Sequence, residues 1–272
     1  MLNTQKSIFK TRLFILLVLV ISIIVAFSIK ETHQSVDSSS IKYELSDTLF
    51  YPRIDSAESV IHHLYYDLVY DENHEQAKWV FYKLYPSYIV KSFERKNDFR
   101  SDPSVASGSA DHSDYRGSGF DRGHLMPAAD MVWSENALSE SFYYSNMSPQ
   151  HPSFNRGIWK RLESRVRKWL SQADSLYIIT GPKLNMRLNT IGHNEVSVPE
   201  YYYKVILKFH QNNTDGIAFL MPNQSSKSDL KDYVITIDAL EENLDIDFFH
   251  NMNDSLQSSI ERTSDHSKWS WK

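Results

Sequence analysis

Apolar residues recur at two different spacings along the chain, and each spacing predicts a different element. Leu64 to Tyr70 and Trp79 to Leu84 carry β-branched and aromatic residues at the density of β-strands, with a polar loop between them. The apolar residues between Ile158 and Leu170 recur at i, i+4, i+8, i+11 and i+12, which is the spacing of one helix face. The pattern therefore predicts two paired strands followed, near the middle of the chain, by one amphipathic helix.

The segments after this helix predict further strands. Ser175 to Thr180 has the composition of a buried strand, and Tyr201 to Phe209 and Ile217 to Pro222 form a second strand pair that turns through Asn212 to Gly216. Leu230 to Leu240 begins with a polar turn and is a candidate helix. Because strands and helices are separated instead of alternating strictly, the pattern favours an α+β fold.

Polar segments set the limits of the folded domain. Ser101 to Gly119 is a long connection rich in Ser, Asp and Gly, and loops of this length are usually functional or disordered. We expect the domain to cover residues 45–250. The last segment, residues 251–272, is polar and ends with Trp269 and Trp271, and we expect it to be loosely ordered.

The N-terminal residues predict a membrane segment. Leu13 to Ile29 is almost entirely apolar, and at 1.5 Å per residue it spans roughly 26 Å. Residues 1–30 are therefore a signal anchor or a cleaved signal peptide, with the anchor favoured, and residues 31–44 are a polar linker. Basic residues precede the apolar segment and acidic residues follow it, which predicts a membrane-anchored domain outside the cytoplasm, periplasmic or extracellular, or a secreted one after cleavage.

Composition narrows the chemistry that the chain can perform. The sequence contains no Cys, which excludes disulfides, thiolate metal sites and a cysteine nucleophile, so any metal must have oxygen and nitrogen ligands. The net charge of −5 gives no general reason to expect a polyanionic partner. The predicted helix, in contrast, is positively charged. Between Arg156 and Lys168 basic residues are numerous, and Glu163 is the single acidic residue. Such a face is either a solvated helix surface or a site that attracts a phosphodiester backbone.

Two clusters of polar residues are candidates for catalysis. Asp121-Arg122-Gly123-His124 places a carboxylate, a guanidinium group and an imidazole within four residues. Imidazole can take a proton from water near pH 7, so His124 is a candidate general base, although a single histidine is more often structural. The second cluster runs from Asn146-Met147-Ser148-Pro149-Gln150 through Asn155 to Glu163. Its amide and carboxylate oxygens suit Mg²⁺, while a helix N-cap is the alternative role for Asn155.

These residues resemble the signature of the DNA/RNA non-specific endonuclease family. The resemblance is carried by Asp121-Arg122-Gly123-His124, Asn146 to Gln150, Asn155, Trp159 and Glu163, and with flanking segments it covers roughly Leu64 to Leu240. It implies an α+β fold with a central, mainly antiparallel sheet flanked by helices and a ββα-metal (His-Me finger) core. In that core the histidine ends a strand, and the asparagine and glutamate lie at or on the following helix.

The resemblance also implies roles for individual residues. His124 would be the general base, Asn155 the direct ligand of Mg²⁺, with Mn²⁺ as an alternative ion, and Glu163 an outer carboxylate that positions water on the metal. Arg122 would hold the phosphate, and Asn146 would be a hydrogen-bonding partner within the site. The other candidates have less defined roles: they are Asp121 as an outer or orienting carboxylate, Arg95 or Arg100 as an upstream phosphate-binding arginine, and Arg156 and Lys160 as substrate-binding residues.

The predicted function is Mg²⁺-dependent hydrolysis of phosphodiester bonds in DNA and RNA, with His124 activating water and with 5′-phosphate products. Contacts confined to phosphate and sugar would give no sequence preference. Two alternatives stay open, namely an inactive nucleic-acid-binding module at the cell surface and a phosphodiesterase that acts on small nucleotides. A zinc hydrolase is disfavoured because no His-x-x-x-His spacing falls on a predicted helix.

Overall fold

The computed structural model describes residues 47–271, and its main feature is a seven-stranded sheet whose neighbouring strands all pair antiparallel. The strands are β1 (Val60–His62), β2 (Tyr66–Asp71), β3 (Gln76–Leu84), β4 (Asp121–His124), β5 (Met147–Gln150), β6 (Ser175–Pro182), β7 (Thr190–Ile191), β8 (Val196–Ser197), β9 (Tyr201–His210), β10 (Asn213–Pro222) and β11 (Val234–Ile235). The large sheet has the order β1-β2-β3-β6-β9-β10-β11, while β4 pairs with β5 and β7 with β8. The predicted α+β class with a central antiparallel sheet is confirmed.

The helices are short; three lie between strands and two follow the last strand. They are α1 (His112–Tyr115), α2 (Glu135–Glu140), α3 (Lys160–Leu170), α4 (Ile237–Leu244) and α5 (Asp254–Glu261). Within residues 47–271, no helix combines the length and the apolar character needed to cross a membrane. The predicted anchor at Leu13 to Ile29 lies outside the described residues, so the membrane attachment and the location outside the cytoplasm stay predictions.

Apolar residues cover both faces of the large sheet. On one face, Trp159 and Leu162, before and within α3, pack with Tyr82 and Ile206. On the other face, residues of α4 and α5 such as Ile237 and Ile260 pack in a second cluster. Each fully buried apolar side chain contributes about 1.5–3 kcal/mol, so these two layers hold the sheet between the helices. Burial on both faces also explains why β9 is apolar almost throughout.

Three sequence predictions need correction in detail. The turn between β9 and β10 is shorter than Asn212 to Gly216, because pairing continues to His210 opposite Asn213 and Gln211 turns the chain with a φ of 54°. The segment Leu230 to Leu240 is not one helix, since a 3₁₀ turn (Leu230–Tyr233) and β11 precede α4. The long connection Ser101 to Gly119 contains the short helix α1.

The expectation of a loosely ordered C-terminal segment is wrong. Residues 254–261 form α5, and Trp269 is only 2% exposed. The Trp269 ring lies 4.7 Å from the ring of Trp169 on α3, and the Trp169 indole N–H donates to the carbonyl of Ser270 at 2.6 Å. The polar composition of the segment concealed these contacts, because their partner lies about a hundred residues away in the sequence.

Candidate active site

The strands β4 and β5 and the helix α3 form a ββα unit beside the large sheet. His124, the last residue of β4, pairs with Met147 of β5, and Gly123 pairs with Ser148. A side chain at Gly123 would collide with Gln150, since a Cβ atom there would lie 2.2 Å from the Gln150 Cδ. The glycine between Arg122 and His124 is therefore required by the close approach of the two strands.

This unit borders a cleft of about 780 Å³. Eight of the ten residues that the sequence singled out line it, namely Arg95, Asp121, Arg122, His124, Asn155, Arg156, Lys160 and Glu163. Asn146 and Arg100 do not. Residues far apart in the sequence thus meet at one concave surface that is rich in positive charge.

His124 is held in the wall of the cleft as a neutral imidazole. The residue is 8% exposed, and its ring lies edge-on to Phe99 at 5.7 Å and to Phe142 at 5.1 Å. Burial, followed by the positive charges of Arg95 and Arg122, lowers the pKa of His124 to about 3. Its Nε2 atom is buried and has no hydrogen-bond partner in the described part of the chain. A neutral imidazole with one unpaired nitrogen is suited to accept a proton.

Asn155 is oriented by the carboxylate of Asp121. The Asn155 amide nitrogen donates to Asp121 Oδ2 at 2.8 Å, while Arg156 donates to Asp121 Oδ2 at 2.8 Å and to Oδ1 at 2.6 Å. Burial raises the pKa of Asp121, but the hydrogen bonds from Arg156 and Asn155 outweigh it and keep the pKa below its usual value. With its nitrogen bound to Asp121, Asn155 directs its amide oxygen elsewhere, and no donor to that oxygen occurs among residues 47–271.

The backbone before α3 explains why Asn155 is available for this role. Residues Phe154–Trp159 form a wide, π-type turn that is kinked at Gly157, which has φ −103° and ψ −109°. Neither this turn nor α3 has a side-chain N-cap hydrogen bond. The alternative role of Asn155 as a helix N-cap is therefore not realised, and its side chain points to Asp121 instead.

Glu163 lies at the back of the cleft next to two further charged residues. Arg167, one helical turn after Glu163, donates to Asp130 Oδ1 at 2.6 Å. Burial raises the pKa of Glu163, and the charge of Lys204 is the main influence that opposes the rise. The carboxylate thus depends on neighbouring cations to stay ionised.

Lys204 is fully buried beneath this part of the cleft. It lies on β9 with an exposed fraction of 0%, and its Nζ atom has no hydrogen-bond partner among residues 47–271. The ammonium group lies 5.0 Å from the ring of Trp159 and 5.6 Å from the ring of Tyr82. Burial lowers the pKa of Lys204, and the negative charge of Glu163, followed by that of Asp130, opposes this.

The structure separates the two upstream arginines. Arg95 lines the cleft, and its positive charge acts on His124. Arg100 instead donates to the carbonyl of Ser139 at 2.9 Å and stacks on Tyr143 at 4.1 Å, outside the cleft. Of the two, Arg95 is therefore the one placed to meet a ligand.

Asn146 lies next to the cleft but does not line it. Its exposed fraction is 0%, its oxygen accepts from the Met126 backbone N–H at 2.9 Å, and its nitrogen donates to the carbonyls of Met126 and Ser141, each at 2.9 Å. All of these bonds go to the backbone that follows His124 or to the loop before β5. The amide thus fixes the chain next to the general base and does not reach the cleft.

Two residues of the site were missed as functional candidates. Arg167 follows Glu163 by four residues, so the helical period alone places both on one face of α3. Lys204 carried a different signal, because a lysine within the apolar run Tyr201 to Phe209 is unusual for a strand buried on both faces. Its partner could not be identified without the packing of β9 against α3.

The donor set of the cleft fits a hard divalent cation. The amide oxygen of Asn155 is unengaged, and the carboxylate of Glu163 lines the same cleft. A second set that could hold a metal consists of Asp111, Asp114 and His193, whose ligand atoms lie within 4.8 Å of one another. The carboxylates of that set already accept backbone hydrogen bonds at α1 and at Asn194, so their present role is structural.

Comparisons with known proteins agree with this geometry. A family model for DNA/RNA non-specific endonucleases matches residues 46–255. Mitochondrial endonuclease G of Homo sapiens is 36% identical over 191 residues, which cover 65% of this chain and 64% of that protein. A nuclease of Nostoc sp. is 33% identical over 213 residues, which cover 74% of this chain and 77% of that protein. A chain in the crystal structure of an EndoG/EndoGI complex matches with a TM-score of 0.70 and 31% identity, over 76% of this chain and 90% of that one.

Proposed function

The chain belongs to the DNA/RNA non-specific endonuclease family, and from this premise we propose that it hydrolyses phosphodiester bonds within DNA and RNA. One observation carries the proposal, namely the buried, unpaired Nε2 atom of His124 in the cationic cleft that Asn155 also lines. A base, a site for a hard cation and guanidinium groups are the parts that phosphodiester hydrolysis requires.

Each residue of the cleft has its own role in the proposed reaction. Arg95 and Arg122 bind the non-bridging oxygens of the phosphate and offset the charge that develops there. The neutral imidazole of His124 takes a proton from the water that attacks phosphorus, and the 3′ oxygen leaves, so the products carry 5′ phosphates. Since these contacts reach the backbone of the substrate and not base edges, we expect no sequence preference.

A divalent cation, proposed here as Mg²⁺ with Mn²⁺ as an alternative, would be held by Asn155 with Glu163 and Asp121 around it. When bound, it would supply Lewis-acid stabilisation of charge on the leaving oxygen. The hydrogen bond from Asn155 to Asp121 supports this assignment, because such second partners commonly orient the ligands of metals.

Removal of divalent cations is expected to abolish cleavage. The full chain should degrade closed circular plasmid DNA and a structured RNA in Mg²⁺, and EDTA should stop both reactions until excess Mg²⁺ is added back. Cutting of a closed circle requires an internal break, so the assay separates an endonuclease from an exonuclease.

Two outcomes would contradict the proposal and favour the alternatives. A gel shift of both nucleic acids without cleavage in Mg²⁺, Mn²⁺ or Ca²⁺ would favour an inactive binding module. Hydrolysis of a small diester, such as thymidine 5′-monophosphate p-nitrophenyl ester, without cleavage of polymers would favour a nucleotide phosphodiesterase.

A second groove, of about 370 Å³, extends the cationic surface away from the cleft. The two share Arg156 and Lys160, and Arg161 and Lys168 of α3 continue the positive charge along the groove. Among the described residues, Asp229 is the only acidic side chain that lines it. We propose that the phosphate backbone of a long substrate continues from the cleft along this groove, because the charge there is complementary to it.

Neutralising the groove is expected to weaken binding of long substrates. The double variant Arg161→Gln/Lys168→Gln should raise KM for a long single strand, leave hydrolysis of the small diester unchanged, and lower the slope of log K against log salt by roughly 1.4. The matched control Arg53→Gln/Arg262→Gln removes the same charge at residues that the second groove does not include. An equal change in salt dependence for both double variants would show that the groove contributes only through net charge.

A further inference from the structure

Three carboxylates converge where α4 meets α5, in a part of the chain that the cleft does not include. Asp238 and Glu241 lie three residues apart on α4, and Glu261 is the last residue of α5. One oxygen from each of them lies within 4.8 Å of the others. Bringing three negative charges this close is unfavourable unless a positive charge or a proton accompanies them.

Neighbouring residues do not provide that compensation. Glu261 is 6% exposed, so nine-tenths of it is buried, and its Oε1 atom has no hydrogen-bond partner among residues 47–271. Glu241 accepts one hydrogen bond, from the backbone N–H of Phe248 at 2.7 Å. No ion pair within the described part of the chain joins Asp238, Glu241 or Glu261 to a lysine or an arginine.

The dimensions of the cluster match a hard cation. A Ca²⁺ ion binds oxygen at about 2.3–2.6 Å, so two of its ligands lie at most roughly 5 Å apart. One oxygen from each of the three carboxylates lies within 4.8 Å of the others, which is inside that limit. Three carboxylates from two helices suit Ca²⁺, which takes several protein oxygens in flexible geometry, better than Mg²⁺, which keeps several waters and usually binds one or two carboxylates.

We infer that Asp238, Glu241 and Glu261 form a second divalent-cation site, selective for Ca²⁺ over Mg²⁺, that links α4 to α5. The burial of Glu261 and its Oε1 atom, which has no hydrogen-bond partner in the described part of the chain, carry the inference. Such an ion would offset two of the three negative charges and hold the C-terminal helix against the sheet, where Ile260 packs beside Ile237. The site would therefore act on stability and not on the chemistry of the cleft.

Thermal unfolding of the full chain with CaCl₂ or with EDTA tests this inference. In EDTA, Glu261→Gln should be at least as stable as wild type, because one repelling charge is removed. In CaCl₂ the order should reverse, because wild type gains a Tm rise that the variant lacks. A variant that was merely misfolded would be less stable in both solutions, so the reversal identifies a ligand. MgCl₂ should give a smaller rise than CaCl₂ at the same concentration.

Two further variants locate the effect. Glu242→Gln makes the same change of charge at an exposed position of α4, and it should keep the full response to CaCl₂. Asn155→Ala should keep it as well, since the cleft is separate. A response that is equal in wild type and Glu261→Gln, or that disappears in Asn155→Ala, would overturn the inference.

Discussion

Replacing His124 with alanine is expected to lower kcat for plasmid and RNA cleavage by about 10²–10⁴-fold, the usual contribution of a general base. The imidazole combines a neutral state with a buried, unpaired nitrogen. KM should change less than kcat, because Arg95 and Arg122 still bind the phosphate. Single-turnover rates on a 5′-labelled strand measure the loss directly.

Controls separate loss of the base from loss of structure. His151→Ala removes an exposed histidine and should leave kcat close to wild type. Added imidazole should restore part of the activity of His124→Ala, since the substitution leaves a space of that shape. Activity within tenfold of wild type in His124→Ala would exclude the imidazole as the base.

The depressed pKa of His124 adds a second measurement to the same variant. The unfolded chain takes up a proton on His124 below about pH 6.5, whereas the folded chain resists it until about pH 3. Folding therefore releases that proton within this window, and the residue destabilises the native state as the pH falls from 6.5 towards 3. His124→Ala lacks this penalty, so its Tm should approach or exceed that of wild type as the solution is acidified.

Local sequence was sufficient to single out two candidate residues that the structure brings to the same cleft. An imidazole and an amide that precede an amphipathic helix made His124 and Asn155 candidates, and the family resemblance implied their roles. The requirement for glycine at position 123 also has a local cause, because the close approach of Gln150 on the paired strand leaves no room for a side chain. Such features depend on neighbours within one ββα unit.

Residues whose role depends on long-range packing escaped prediction. Asn146 was predicted as a hydrogen-bonding partner, but the sequence did not show that its partners are the backbone groups of Met126 and Ser141. Trp269 occupies a polar segment, and its burial depends on Trp169 from another part of the chain. Lys204 belongs to this group as well, because the sheet brings β9 beneath α3 and thereby places an ammonium group near Glu163.

The substitution Lys204→Met is expected to destabilise the fold and to alter the pH dependence of catalysis. Methionine keeps the shape of the buried side chain but leaves Glu163 without its main compensating charge. Loss of one partner of a buried pair costs about 3–5 kcal/mol, and we expect about 2–3 kcal/mol here because Glu163 is only half-buried at the cleft. Urea unfolding monitored by tryptophan fluorescence measures the change.

The pH profile shows whether Lys204 acts through Glu163. Burial already raises the pKa of Glu163, and without the lysine the pKa rises further, so the ionised carboxylate forms only at higher pH. The acid limb of kcat should therefore move to higher pH in Lys204→Met, with activity recovering in alkaline buffer. A lysine that served packing alone would lower kcat equally at every pH.

A double-mutant cycle tests whether the charges of Lys204 and Glu163 are coupled. Glu163→Gln in the Lys204→Met background removes the uncompensated charge, so it should recover much of the lost stability while the enzyme stays impaired. Lys208→Met, on the same strand but paired with Asp215 at 3.3 Å, is the matched control and should leave the acid limb in place. If Glu163→Gln destabilises Lys204→Met as much as it destabilises wild type, the two charges are independent, and Lys204 does not keep the carboxylate ionised.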